Sequence, residues 1–462
     1  MIEPAFAAYF WGFLFLYGGL MYALTPRAHT VAGFFRGSDA AGRPATEWKL
    51  TCSIFISWIF AKSVTNAANL GAAYGVVGGL AYACYWLSIP VAGFVIYRLR
   101  TRHGAKGLVS FLISRYGRGA AIAFTLAILI RLYNEVWSNT AVVGAYYGKP
   151  GTTTFIAAAL LFTLAALCYS LKGGLRSSIV TDVIQSVLFV LVMAVVLALV
   201  LPQYGLPTLL SKGDFHLDMG VDLLLVALLQ VLSYPFHDPV LTDRGFITEE
   251  KHMLRAFIIA GIAGFICIFA FSLVGVHAKL EGLPAGDNMP GEVARAFGVI
   301  PYMLMTLVMI LAAGSTLDST FASVAKSIGQ EAPTLVGRAP GNNAVKIGLW
   351  TMIAFAVLGN LPMIAGTDIL KATTLSGTMV IGLAPIFILA PLVRYSPASF
   401  HCAFWPGVAL GILFAFNVIP QSWAIGTGKY ALLLGTNLYG LAICCAGFLL
   451  PLVWQRRTGE TR

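Results

Sequence analysis

Thirteen apolar runs, near 5–24, 49–71, 76–98, 119–147, 152–170, 178–201, 221–245, 254–277, 297–325, 344–365, 370–393, 401–419 and 430–455, occupy most of this 462-residue chain. An α-helix needs roughly 20 apolar residues to cross a hydrocarbon core. A spanning segment must also satisfy its own backbone polar groups, which confines such a chain to an all-α integral membrane fold of about 13 transmembrane helices. The basic residues test that division. Of 30 Lys and Arg, 22 fall in every second gap, at the run ends that border it, or after the last run: Arg27, Arg36, Arg43, Lys49, Arg98, Arg100, Arg102, Lys106, Arg115, Arg118, Lys172, Arg176, Arg244, Lys251, Arg255, Lys326, Arg338, Lys346, Arg394, Arg456, Arg457 and Arg462. The other gaps and the run ends that border them hold Lys149, Lys212, Lys279, Arg295, Lys371 and Lys429, while Lys62 and Arg131 lie in the middle of runs. Cytoplasmic loops retain positive charge, so the alternation predicts an external N-terminus and a cytoplasmic C-terminus in the plasma (cell inner) membrane. The formal charge of +11 then follows from topology and does not point to nucleic acid.

Composition excludes other classes. Charged residues make up 11% of the chain, against about 25% in soluble domains. Cys52, Cys84, Cys168, Cys267, Cys444 and Cys445 fall in the runs without CxxC spacing, as small packing residues do. The first run is too long for a cleaved signal peptide and lacks a basic start. Histidines do not cluster, and HExxH, P-loop and GxSxG motifs are missing from the sequence, which argues against an enzyme.

Two runs carry the marks of a helix interrupted within the membrane. The second, SIFISWIFAKSVTNAANLGAAYG, has Lys62, Ser63, Thr65, Asn66 and Asn69 in its middle and meets Gly71 and Gly75 at its end. The seventh holds Asp238 between Pro235 and Pro239. Proline removes an amide donor and clashes with the preceding turn, so the helix should unwind or kink there. Glycine and proline also occur in ordinary membrane helices, where neighbours re-satisfy the backbone. The two interruptions, however, are five spans apart, the register of two five-helix inverted repeats beginning at spans 2 and 7, as in transporters built around discontinuous helices.

Several segments carry a family resemblance: KGGLRSSIVTDVIQSVLF from Lys172 to Phe189, LAAGSTLDST from Leu311 to Thr320, FFRGSD after the first run, SFLISRYG before the fourth, and Pro239 followed five residues later by Arg244. In these, in their order and in their spacing, the chain resembles the sodium:solute symporter family over nearly its whole length. The resemblance implies a LeuT-like core of ten helices over 49–393. A first span and cytoplasmic loop, 1–48, would precede it, and two further spans with a short tail, 394–462, would follow. It further implies sodium between the broken second span and the ninth. The carbonyl of Ala312 and the hydroxyls of Ser315 and Thr316 would bind it on one side, and the carbonyls of Trp58 and Ala61 on the other. Asp182, with Ser315 to Ser319, would supply a second sodium site. Oxygen ligands and half-helix C-terminal carbonyls suit a hard cation. The same hydroxyls could instead bond helix to helix, and Asp182 could be a helix N-terminal carboxylate.

Lys62 departs from the family, which usually has small or hydroxyl residues there. An ammonium near the bilayer centre costs at least about 2.5 kcal/mol unless paired. It could bind a solute carboxylate, stand in for sodium or carry a coupled proton, or form a structural salt bridge to Asp318, Asp182 or Asp238. Ser63, Asn66, Tyr234 and Asp238 join it as candidate solute contacts. Asp318 follows Ser315 at i+3, and Arg131, Glu135 and Asn139 form an i, i+4, i+8 stripe. Arg131, Glu135 and Asp318 are candidate coupling or gating residues, and Arg131 and Glu135 can pair with each other. The loop Leu283 to Gly298 is expected outside, shaping a vestibule. The function expected is secondary active transport: sodium-coupled symport of a small organic solute, an amino acid or organic acid by preference, through alternating access. The alternatives are a proton-coupled or cation-independent transporter using Lys62, and a solute-sensing membrane module, for which the short tail after Trp454 leaves no kinase domain. Its partners are the solute and the lipid bilayer, with no nucleic acid and no obligate protein partner evident.

Overall fold

The computed structural model describes residues 4–284, 286–364 and 376–458, and all regular structure among them is helical. Among the described residues, ten helices are long and apolar enough to cross a membrane. They match the apolar runs apart from the second, the seventh and the eleventh. The second and seventh are broken, and residues 370–375 of the eleventh, Lys371 among them, lie outside the described residues, as do 365 and Arg462. The helices run longer than the apolar stretches, as in Glu250–Leu280 and Leu175–Val200, because polar residues continue the hydrogen-bond ladder beyond the apolar core. Asp182 therefore lies well inside its helix and not at the helix start. Helix Leu108–Tyr147 contains Gly117 at φ 83° and ψ 171°, a conformation only glycine adopts without strain, so the chain turns there before the fourth span.

The second span consists of two helices, Glu47–Ser57 and Ala61–Tyr74. Between them the Ile59 amide bonds to the Ile56 carbonyl at 3.0 Å, and the Ser63 and Val64 amides both bond to the Phe60 carbonyl, at 2.9 and 3.1 Å. The carbonyls of Ser57, Trp58 and Ile59 are thus left outside either helical ladder. No proline makes this break. The second helix instead starts on a tertiary cap, the Asn139 carboxamide oxygen of the fourth span accepting the Ala61 amide at 3.0 Å. The seventh span comprises Asp222–Gln230, a single turn Tyr234–His237, and Pro239–Thr242. Asp238 is extended at φ −107° and ψ 97°, and its carboxylate caps the Val240 amide at 3.1 Å.

Both breaks lie deep in the molecule. In the ninth-span helix Val299–Lys326, 67% of the most apolar window is buried, against 22% in the first span. The peripheral helices turn Leu160, Leu161, Leu164, Val187, Leu191 and Ile266 outward, which suits hydrocarbon and not water. The second span meets the eighth through glycine: a Cβ on Gly275 would lie 1.7 Å from the Ala68 carbonyl oxygen, and one on Gly71 would lie 2.2 Å from that of Ser272. Small residues allow this close approach. In the loop after the first span, Asp39 accepts from the Ala41 and Arg43 amides at 2.9 and 2.8 Å. The Arg43 backbone amide, then its guanidinium, holds the Asp39 carboxyl below the ordinary carboxylate range.

Candidate solute and ion site

A cavity of about 1450 Å³ runs from the loops bearing Lys149, Asp287 and Lys429 down to Lys62, Thr65 and Asn66 on the second helix of the broken span. Glu292, Arg295 and Tyr302 line its upper wall. Arg295 donates to the Tyr302 hydroxyl at 2.8 Å, and that hydroxyl donates to the Tyr146 carbonyl at 2.7 Å. The segment Leu283 to Gly298 thus contributes to the vestibule wall, as its position in the sequence suggests.

At the cavity floor is a buried charge network. The Lys62 ammonium donates to Glu135 Oε1 at 2.5 Å and to Ser138 Oγ at 3.0 Å. Glu135 also pairs with Arg131, and Arg131 Nη2 reaches Asp238 Oδ2 at 3.0 Å. Trp58 Nε1 donates to the same Asp238 oxygen at 3.0 Å, and Asn139 Nδ2 donates to Glu135 Oε2 at 2.9 Å. None of these four charged side chains is more than 1% exposed. The network joins both breaks through the fourth span, two cations facing two carboxylates. The partner of Lys62 is Glu135, and not Asp318, Asp182 or Asp238. The expected Arg131–Glu135 pair is present, but each member has a further partner on another span.

Of the other candidate solute contacts, Asn66 lines the cavity and its Nδ2 donates to the Tyr82 hydroxyl at 3.2 Å. Ser63 Oγ accepts from Tyr82 at 3.1 Å. Tyr234 and Asp238 are not among the lining residues. They pack behind the floor, Tyr234 with its ring centroid 6.2 Å from that of Trp58 and 5.5 Å from the Arg131 guanidinium.

Where the second span breaks against the ninth, oxygens converge. Thr316 Oγ1 lies 3.1 Å from the Ala312 carbonyl oxygen and 3.5 Å from that of Ser57. The Ser57 carbonyl, one residue before that of Trp58, is not among the oxygens the resemblance implies. The Ala61 carbonyl, by contrast, lies within a helix and accepts from Thr65 Oγ1 at 3.1 Å. These neutral oxygens are the donor type a hard monovalent cation takes.

Ser315 turns the other way, donating to Asp182 Oδ1 at 2.6 Å. Asp182 Oδ2 accepts from Ser53 at 2.5 Å and from Arg244 Nη2 at 3.0 Å. Arg244 also donates to Ser53 Oγ at 2.7 Å, to Ser319 Oγ at 2.8 Å and to the Val240 carbonyl. Asp318 accepts from Thr181 Oγ1 at 2.9 Å and does not line the cavity. This second cluster ties spans 2, 6, 7 and 9 together away from the cavity mouth. In the sequence Arg244 is only the end of a proline-to-arginine spacing, and its place at the centre of the cluster depends on the seventh-span break.

Residues 40–212 match the model of the sodium:solute symporter family. Solute carrier family 5 member 4A of Mus musculus is 28% identical over 174 residues, 37% of this chain and 26% of that protein. Sodium/glucose cotransporter 1 of Oryctolagus cuniculus is 30% identical over 173 residues, 36% of this chain and 25% of that protein. The chain thus spans about a quarter of the length of the curated relatives it matches. Over the whole fold it is similar to a substrate-bound outward-open Na+-coupled sialic acid symporter, with a TM-score of 0.72 and 15% identity, covering 97% of this chain and 98% of that one. A nucleobase-cation-symport-1 family transporter in a closed conformation follows, with a TM-score of 0.58 and 14% identity, covering 95% of each chain. These likenesses fix the fold as LeuT-like. By its match over 40–212 the chain resembles the sodium:solute symporter family, and its paired broken spans accord with that likeness.

Proposed function

We propose that the protein is a secondary active transporter that couples a small organic solute to sodium by alternating access, and not an enzyme. The observation that carries this is the gathering of the Ser57 carbonyl, Ala312 carbonyl and Thr316 hydroxyl at the second-span break, beside a cavity that ends at Lys62. Sodium is cargo here. These oxygens would hold it, and binding would tie the two halves of the second span to the ninth. Trp58 contributes through its place in the break, and Ala61 by starting the second helix. Asp182, held by Ser315, is where a second sodium would compete with Arg244. The ten helices over 49–393 form the transport unit, with 1–48 and 394–462 as flanking elements. The basic loops face the cytoplasm of a plasma membrane, so the cavity opens outside. Solute and ion each favour the same closed state, and their coupling is therefore reciprocal.

The test is thermal stability of the purified full chain with a panel of small solutes, in sodium and in choline. A ligand that binds the native state raises the apparent melting temperature by mass action. Solute stabilisation that requires sodium, and loses that requirement or disappears in Thr316→Ala, is the expected result. Stabilisation indifferent to sodium but sensitive to pH would overturn it in favour of proton coupling through the Lys62 network.

A further inference from the structure

We infer that the solute carries a carboxylate that binds the Lys62 ammonium at the cavity floor, and that Glu135 is the residue that makes this binding depend on sodium. The inference rests on the symport reading above and names the solute class of the same site.

An ammonium has three N–H donors. Two of those on Lys62 go to Glu135 and Ser138, leaving a third on the residue that forms the floor of the cavity. Glu135 cannot swing away to meet it, because Arg131 and Asn139 hold its other contacts. On the helix of Lys62, the side chains of Thr65 and Asn66 also line the cavity. These are neutral hydrogen-bonding groups, so among the described residues Lys62 is the charge at the deep end of the cavity. A solute anion therefore finds one positively charged donor with polar neighbours.

Charge balance then connects the solute to the ion. Lys62, Arg131, Glu135 and Asp238 together are neutral, and all are buried. A bound carboxylate leaves the group one unit negative in a medium where charge is poorly screened. One sodium at the break restores neutrality, and Ser57 is only five residues along the chain from Lys62. The solute is then held weakly without sodium, and sodium weakly without the solute. Glu135 is what cancels Lys62 in advance. Were that carboxylate an amide, the floor would carry one positive charge and would accept the anion alone. Arg131 would keep Asp238 as its partner in such a variant, so the floor remains paired.

The probes are acid and amide pairs of matched shape, lactate with lactamide, L-proline with L-prolinamide and nicotinate with nicotinamide, with acetate as the minimal carboxylate. Each is titrated against the melting temperature of the full chain in sodium and in choline. In the native protein at least one acid, and not its amide, should stabilise in sodium, with apparent affinity at least tenfold weaker in choline. Glu135→Gln should bind the same acid in choline within about threefold of its affinity in sodium. Lys62→Met should lose discrimination between acid and amide while retaining a sodium-induced shift. Amides stabilising as well as acids, no stabilisation by any acid, or an unchanged sodium requirement in Glu135→Gln would each overturn the inference. Failure of the symport reading looks different: a solute then stabilises the native protein equally in sodium and choline.

Discussion

At the scale of single residues, buried charge dominates, and its effects are asymmetric. Asp182 and Arg244 are both fully buried and meet at 3.0 Å. A buried pair can be replaced by apolar groups at little cost, but removing one member leaves a desolvated charge alone, at about 3–5 kcal/mol. Asp182→Asn is therefore expected to lower stability by about 3 kcal/mol, read as an earlier unfolding midpoint in detergent. Asp182→Asn with Arg244→Met should cost less than the sum of the two single changes. An additive pair would mean the guanidinium is held by Ser53, Ser319 and the Val240 carbonyl alone. The sequence singled out Lys62, Arg131 and Glu135 because charged groups within apolar runs demand partners, and Asp182 through the family resemblance. Helical spacing also revealed Arg131–Glu135, which is local. It could not reveal Lys62–Glu135 or Arg244–Asp182, because partners on different spans are set by how helices rotate against each other, and no periodicity within one helix records that rotation.

At the scale of elements, the breaks were readable and their cause only half so. Pro235 and Pro239 announce the seventh-span interruption directly. The second-span break lacks proline and shows only as polarity. The cap that starts its second helix, Asn139, comes from a residue far away in the sequence. The same helix leans on the eighth span at glycine, which yields a prediction with an internal control. A methyl at Gly275 would stand 1.7 Å from the Ala68 carbonyl oxygen, whereas one at Gly12 meets nothing within 4 Å. Gly275→Ala should force the helices apart and cost about 1–3 kcal/mol, as overpacking does, and Gly12→Ala should leave the unfolding midpoint in place. Equal effects at both sites would mean that the close crossing of spans 2 and 8 does not limit stability.

At the scale of the molecule, one side of the helical assembly is open and the other latched. The cavity reaches Lys62 from the Lys149, Asp287 and Lys429 loops. On the opposite side, Lys326 at the end of the ninth span pairs with Asp243 of the seventh and lies 3.2 Å from Glu331. Arg100 of the third span donates to the Gly245 carbonyl at 2.8 Å and to Glu250 at 2.9 Å. Under the alternating access proposed above, this side opens when the other closes, so the contacts between spans 7 and 9 belong to the state with the cavity open and favour it. In Lys326→Gln, Asp243 and Glu331 lose their shared cation. A loss of about 1 kcal/mol shifts a two-state ratio about fivefold. Thr65 lines the cavity and is 7% exposed, so a cysteine there reports the open state. With the exposed Cys168 and Cys402 replaced by serine, Thr65→Cys should react with a membrane-impermeant thiol reagent applied from the cavity side. Adding Lys326→Gln should slow that labelling severalfold in the absence of solute and sodium. Labelling that is unchanged by Lys326→Gln would mean the Lys326 pair carries no conformational preference, leaving the Arg244 cluster to hold that side shut.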